Sequence, residues 1–196
     1  VSQQLARLLV NRGLTDCQEA ETFLRPGLSD LHEPELLHGM DEAVERIGQA
    51  YLTQEKVLLY GDYDVDGITG VCLLTKILRP LFPKNLFYYI PKRLDEGYGL
   101  HNSAIEKAAK QGISLIITVD CGINSFAEIK TAYQYGIDVI ITDHHEPRGE
   151  LPAARAVINP KRTGQCYPVR ELAGVGVAFK LGQALATKLP VARDRR

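Results

Sequence analysis

The sequence predicts an α/β fold: a parallel five-stranded sheet with helices on both faces, preceded by a small helical N-terminal appendage. Two observations predict it. From Val57 onward, short β-rich runs alternate with helical segments, the pattern of strand–crossover–strand units whose sheets are covered on both sides. Before that point the apolar spacing is helical and no β-rich run occurs.

Residues 1–24 place Leu5, Leu8 and Leu9, then Ala20, Phe23 and Leu24, at helical spacing. The pattern breaks at Arg12-Gly13 and closes at Pro26-Gly27, which predicts two short helices. A turn-rich stretch from Ser29 to Gly39 leads to a third helix from Met40 to about Leu52, with Ala43, Val44, Ile47 and Ala50 on one face. Strands are expected at 57–60, 86–90, 114–119, 138–142 and 156–159, and helices at about 67–79, 102–111 and 124–135. Ile68, Val71, Leu74 and Leu78 form the buried stripe of the first of these helices, and Gly112 and Gly136 close the other two. A last helix of about 171–189 carries Leu172, Val175, Phe179, Leu181 and Leu185. The expected division is therefore a helical appendage over 1–50 and a catalytic α/β domain over 51–196.

The chain has 196 residues, 45% hydrophobic and 24% charged, enough for one real core with a small addition. Its net charge of -1 rules out an overall basic field, so any polyanion must be held locally by metals or short basic clusters. No apolar run reaches the roughly 18 residues of a membrane span, so no membrane partner is expected. Cys17, Cys72, Cys121 and Cys166 form no C-x-x-C pair and follow no signal-like segment, which points to reduced thiols in a cytoplasmic protein. The start at Val1 rather than Met suggests a fragment or a trimmed chain.

Chemistry in an open parallel sheet collects where strands end, and here those ends are acidic. Strand 57–60 runs into Gly61-Asp62-Tyr63-Asp64-Val65-Asp66-Gly67, strand 114–119 into Asp120-Cys121-Gly122, and strand 138–142 into Asp143-His144-His145. Carboxylates crowded on one edge repel and raise each other's pKa unless a cation neutralises them. Asp and His without thiolate suit Mn²⁺ or Mg²⁺, and a pair of such ions is the usual apparatus for in-line attack on phosphorus. Each motif also has an ordinary reading: Asp66 as a helix N-cap, Asp120-Cys121-Gly122 as a β-turn, and the two histidines as a satisfied loop cluster. Arg93 follows strand 86–90 and belongs on the same edge. Ala173-Gly174-Val175-Gly176 lacks the third glycine and the leading strand of a dinucleotide fingerprint; its glycines are expected to bring the last helix close to the sheet or the substrate.

Three stretches, Gly61–Gly67, Val119–Gly122 and Asp143–His145, resemble the first motifs of the DHH phosphoesterase superfamily. Pro91-Lys-Arg-Leu-Asp-Glu-Gly-Tyr-Gly-Leu100, Val157-Ile-Asn-Pro160 and Glu171–Lys180 are similar to its RecJ family of single-strand exonucleases, as are the leading helices. The resemblance implies a metal-dependent 5′→3′ exonuclease that hydrolyses single-stranded DNA to 5′-mononucleotides in DNA repair and recombination. It implies that Asp64, Asp66, Asp120 and His144 bind two Mn²⁺ (or Mg²⁺) ions, with Asp120 between them, and that Asp62 and Asp143 are ligands or orient their neighbours. His145 would contact the scissile phosphate and protonate the leaving 3′-oxygen, with water as nucleophile and no covalent enzyme intermediate. Arg93 would grip a 5′-terminal phosphate, with Lys92, Lys161 and Arg162 adding backbone contacts; for the last three a solvated role is the competing reading. Cys121 is expected beside the metals without binding them. A helicase and a single-strand binding protein are the suggested protein partners.

The chain also departs from the family pattern. The fourth motif, which supplies another metal-binding Asp, is expected shortly after the last helix, yet Asp194 stands in an unrelated context, and none of the 196 residues is expected to form the second, DHHA1 domain. The resemblance therefore implies weaker metal binding and slower turnover for this chain. Two alternatives stay open: a DHH phosphodiesterase acting on short oligonucleotides or cyclic dinucleotides, and a non-catalytic RecJ-like DNA-binding scaffold.

Overall fold

The computed structural model describes residues 1–189; Asp194 lies outside them. The chain divides into two compact units, 1–33 and 34–196. In the first, α1 (Gln3–Val10) and α2 (Cys17–Leu24) begin at caps the sequence supplies. Ser2 accepts from the Leu5 N–H, and Asp16 accepts from those of Gln18 and Glu19, satisfying helix-end donors that would otherwise go unpaired.

The second unit is the parallel sheet, with strand order β2-β1-β3-β4-β5. Its strands are β1 (Lys56–Gly61), β2 (Leu86–Tyr89), β3 (Ile113–Val119), β4 (Asp138–Thr142) and β5 (Ala156–Ile158). The helices are α3 (Met40–Leu52), α4 (Val65–Leu78), α5 (Asn102–Lys110), α6 (Phe126–Gln134) and α7 (Gly174–Lys188). Side chains of successive strand residues point to opposite faces, and this alternation sorts the core into two layers. Val57 and Leu59, Leu115 and Ile117, and Ile140 face α3, α4 and α7. Leu58 and Tyr60, Ile116, and Val139 and Ile141 face α5 and α6. The border expected at residue 50 falls inside α3, whose Met40, Ala43, Val44, Ile47 and Ala50 are buried in the first layer.

Three helix starts differ from expectation. The segment expected from 67 begins at Val65, because the Asp64 side chain, not that of Asp66, caps it by accepting from the Asp66 and Gly67 N–H groups at 2.9 and 3.0 Å. The segment expected from 124 begins at Phe126, after a turn in which the Ser125 N–H donates to Gly122 O. The one expected from 171 begins at Gly174, whose N–H has a partner elsewhere in the sheet unit.

A buried ion cluster pins α3 to the bottoms of the strands. Arg46, 5% exposed, donates from Nε to Asp138 at 2.5 Å and from both terminal nitrogens to Glu55 at 3.2 and 2.7 Å. Burial works against the charged form of Glu55, but bonds from Arg46, Ser114 and Thr53 outweigh it and hold its pKa below 4.5. A folded-state pKa that is depressed gives stability present above 4.5 and lost as pH falls through the lower folded value. Arg46→Met should lower stability near neutral pH by roughly 1–3 kcal/mol, since partly buried Glu55 loses its guanidinium partner. It should also flatten the acid limb of a Tm-against-pH curve; a variant with an unchanged acid limb would refute this account.

Candidate metal centre

Strand order reverses direction between β1 and β3, so the loops leaving those strands diverge to opposite faces and leave a crevice at the carboxyl edge. The sheet's hydrogen bonding continues past the strand ends: Asp62 N donates to Val119 O, Asp120 N to Thr142 O and Asp143 N to Ile158 O. These bonds bring one carboxylate from each of three strands to the same level. Asp62, Asp120 and Asp143 are 3%, 1% and 0% exposed.

Two triads share Asp120: Asp62, Asp64 and Asp120, and Asp120, His144 and His145, each offering ligand atoms within 4.8 Å of one another. Asp62 Oδ1 and Asp120 Oδ1 are buried without a hydrogen-bond partner. His144 Nε2 comes within 3.1 Å of Asp120 Oδ1 without completing one. Burial, compounded by the charges of Asp66 and Asp64, pushes the Asp120 carboxyl up to about 8. Asp62 is raised for the same first reason. Asp64 is lowered, chiefly by the Gly67 N–H. Orphaned carboxylate oxygens facing further carboxylates and an imidazole fit a divalent cation with a preference for oxygen and nitrogen. Asp120 also takes a left-handed backbone, φ 63°, a conformation that stores roughly 1–3 kcal/mol and clusters at functional sites.

Asp66 stands outside both triads. Its carboxylate accepts from the first two N–H groups of α7, Gly174 and Val175, each at 2.6 Å, where a negative charge is favoured by the helix dipole. It lies 3.7 Å from His144 Nε2, and each of its oxygens keeps a second lone pair. Gly174 lets the start of α7 come up against Asp120, because a Cβ there would sit 2.5 Å from Asp120 Oδ1.

His145 is held by its Nδ1 side. That nitrogen lies 2.7 Å from Asp143 Oδ1 and 3.1 Å from the Tyr98 hydroxyl. The Asp143 bond is the main reason the His145 pKa is raised. Burial opposes the charged form of Asp143, but the bonds from His145 and from the Ile123 N–H win and its pKa is lowered. Asp143 therefore stays anionic, keeps the Nδ1 proton in place, and leaves Nε2 as the mobile proton site.

The basic residues are less concentrated. Arg93 lies over the Tyr63 ring, 5.4 Å from its centroid, on the edge that carries Asp62. Lys92 is 80% exposed and reaches Asp95 at 3.9 Å. Lys161 pairs with Glu171 at 3.2 Å and Glu146 at 3.8 Å, and Arg162 donates to Val157 O at 2.9 Å. The last two are engaged within their own stretch of chain. Cys121 is fully buried in the layer beneath the site, and burial holds its thiol well above its ordinary pKa.

The sequence reading missed two positioning groups. Asn159, 0% exposed, donates from Nδ2 to His145 O at 2.9 Å and accepts from Lys161 N at 2.7 Å, tying the histidine loop to the loop after β5. Asn124 joins the turn at 146–148 by donating to Glu146 O and accepting from Arg148 N. A polar Asn beside a Pro at a strand end was the available signal for Asn159; for Asn124 there was none.

Residues 56–194 match the family model described as "DHH family, N-terminal domain". The chain is 47% identical over 190 residues to the single-stranded-DNA-specific exonuclease RecJ of Bacillus subtilis (strain 168), covering 97% of this chain and 24% of that protein. A crystal structure of exonuclease RecJ bound to manganese matches with TM-score 0.72 at 35% identity, over 79% of this chain and 39% of that one. RecJ of Thermus thermophilus in complex with Mn²⁺ matches with TM-score 0.72 at 29% identity, over 92% of this chain and 24% of that one. The chain thus spans about a quarter of the length of the curated relative it matches.

Proposed function

The chain belongs to the DHH family, and from that premise we propose that it carries the metal-binding half of a single-strand-specific DNA exonuclease that releases 5′-mononucleotides in a 5′→3′ direction. The observation that carries this reading is the convergence of Asp62, Asp64, Asp120, His144 and His145 on one crevice with two carboxylate oxygens unpaired. Asp64, Asp66, Asp120 and His144 would hold two Mn²⁺ or Mg²⁺ ions, and Asp120 is the residue common to both triads. Asp66 would do so with the lone pairs its bonds to α7 leave free, and Asp62 and Asp143 would orient their neighbours. When bound, the ions supply Lewis-acid neutralisation of charge at the phosphoryl group.

The protein's own groups position and protonate. His145, oriented by its bond to Asp143, gives its Nε2 proton to the 3′-oxygen as the P–O3′ bond breaks. Arg93 offers a bidentate grip on the 5′-terminal phosphate, with Lys92 beside it and Lys161 and Arg162 further along the edge. The catalytic part is the sheet unit that begins at residue 34 and takes in α3. The setting is cytoplasmic DNA repair and recombination, where a helicase and a single-strand binding protein would present the strand. No helix among the described residues is long and apolar enough to cross a membrane.

Given Mn²⁺, the whole protein should release mononucleotides from 5′-phosphorylated single strands and leave duplex, RNA dinucleotides and cyclic dinucleotides intact. Dinucleotide-only turnover would replace this reading with a short-substrate phosphodiesterase. DNA binding without any metal-dependent cleavage would replace it with a scaffold.

A further inference from the structure

Tyr98 is half exposed over the crevice, so its ring is not there to fill the core. The loop that carries it is nevertheless tightly built. Glu96 accepts from the Tyr89 hydroxyl at 2.5 Å and from Lys92 N at 2.8 Å. The buried Tyr60 hydroxyl donates to Gly99 O at 2.9 Å, and His101 Nε2 lies 3.2 Å from Gly97 O. Gly97 and Gly99, with φ 79° and 98°, turn the chain sharply on either side of Tyr98.

The Tyr98 hydroxyl has two neighbours in the crevice, and one consistent set of donors and acceptors. It donates to Asp120 O at 3.3 Å and so presents its oxygen lone pairs to His145 Nδ1 at 3.1 Å. The Nδ1–H, already directed at Asp143, is then shared between two acceptors. The rings meet edge to face, 5.5 Å between centroids. One hydroxyl therefore bridges the backbone of the left-handed Asp120 and the imidazole of His145, from the same loop that holds Arg93.

We propose that Tyr98 is a positioning residue that fixes the His145 imidazole for proton delivery to the leaving oxygen. This rests on the exonuclease reading above. In the step it serves, a water oxygen forms the new bond to phosphorus and its proton passes to solvent. The P–O3′ bond breaks with its electron pair on the 3′-oxygen, which takes the proton from His145 Nε2. Tyr98 touches none of the reacting atoms; it restrains rotation of the ring that does.

The test uses Tyr98→Phe in the whole protein with Mn²⁺, on strands whose scissile 3′-oxygen is either normal or replaced by sulfur, a leaving group that departs without a proton. On the oxygen linkage kcat should fall roughly 10- to 100-fold with KM within about twofold, the range for loss of an orienting partner. On the sulfur linkage the variant should approach wild type. The thermal shift on adding Mn²⁺ should be unchanged by Tyr98→Phe. Equal losses on both linkages, a loss confined to KM, no loss at all, or a lost Mn²⁺ shift would each overturn the assignment to His145. A wild-type protein that cleaves neither strand would instead overturn the exonuclease reading itself.

Discussion

Asp120→Asn should make the metal-free chain more stable and the metal-loaded chain inactive. The carboxylate is 1% exposed, its Oδ1 has no hydrogen-bond partner, and its pKa is pushed from 3.8 to about 8 by burial and by Asp66 and Asp64. A folded-state pKa raised in this way means that ionisation destabilises the fold: the penalty is absent below 3.8, grows through the window up to about 8, and is complete above it. Asn has the same shape and no charge to desolvate, so Tm without metal should rise by several degrees at the top of that window, from a penalty on the order of a few kcal/mol. The same substitution removes the carboxylate shared by both triads, and hydrolysis should fall by roughly 10³-fold or more, the scale of losing one group preorganised for developing charge. Mn²⁺ should raise the Tm of the wild type and leave the variant unmoved. Thermal denaturation with chelator and with Mn²⁺ checks both halves; a variant less stable than wild type without metal would defeat the explanation.

Gly67→Ala should cost the fold about 3 kcal/mol or more, and Gly174→Ala should damage the site more than the fold. A Cβ on Gly67 would lie 2.5 Å from Asp62 O, 2.7 Å from Asp62 N and 2.8 Å from Asp62 C. Backbone atoms in a strand-to-helix turn have no room to retreat, so the overpacking penalty sits at the top of its usual range. For a chain of this size that is roughly 6–12 °C in Tm. The three atoms nearest a Cβ on Gly174 all belong to the Asp120 side chain, at 2.5–2.8 Å, so the strain falls first on a proposed metal ligand. Its displacement should weaken Mn²⁺ binding by at least about tenfold, a loss like that of an outer-shell partner, with a smaller fall in Tm. Calorimetric titration of Mn²⁺ alongside thermal melts separates the two. Comparable Tm losses in both variants, with metal affinity kept in Gly174→Ala, would contradict these packing distances.

The acidic loops were legible in the sequence because each follows directly on an apolar strand, and a strand end in a parallel sheet has only one edge to reach. Asp62, Asp64 and Asp120 were found in this way, as were His144 and His145, and the structure brings them together. Helix starts were less legible. Asp64 and Asp66 both offer a capping carboxylate, and only the third dimension shows that Asp64 caps α4 while Asp66 turns to meet α7, more than a hundred residues away. For Lys161 and Arg162 the sequence left two roles open, a contact to the DNA backbone and a solvated one. Their partners, Glu171, Glu146 and the Val157 carbonyl, are fixed by loop geometry that no spacing encodes.

The sequence by itself determined the sheet, its two covered faces and the side of the molecule on which the carboxylates and imidazoles gather. Period-two and helical apolar spacing are local properties that a linear text records. Only the tertiary structure decided which oxygens remain unpaired, which carboxylate α7 seizes and that Tyr98 reaches His145. Those outcomes depend on distances of a few tenths of an ångström between groups far apart in the chain, set by how the whole core packs.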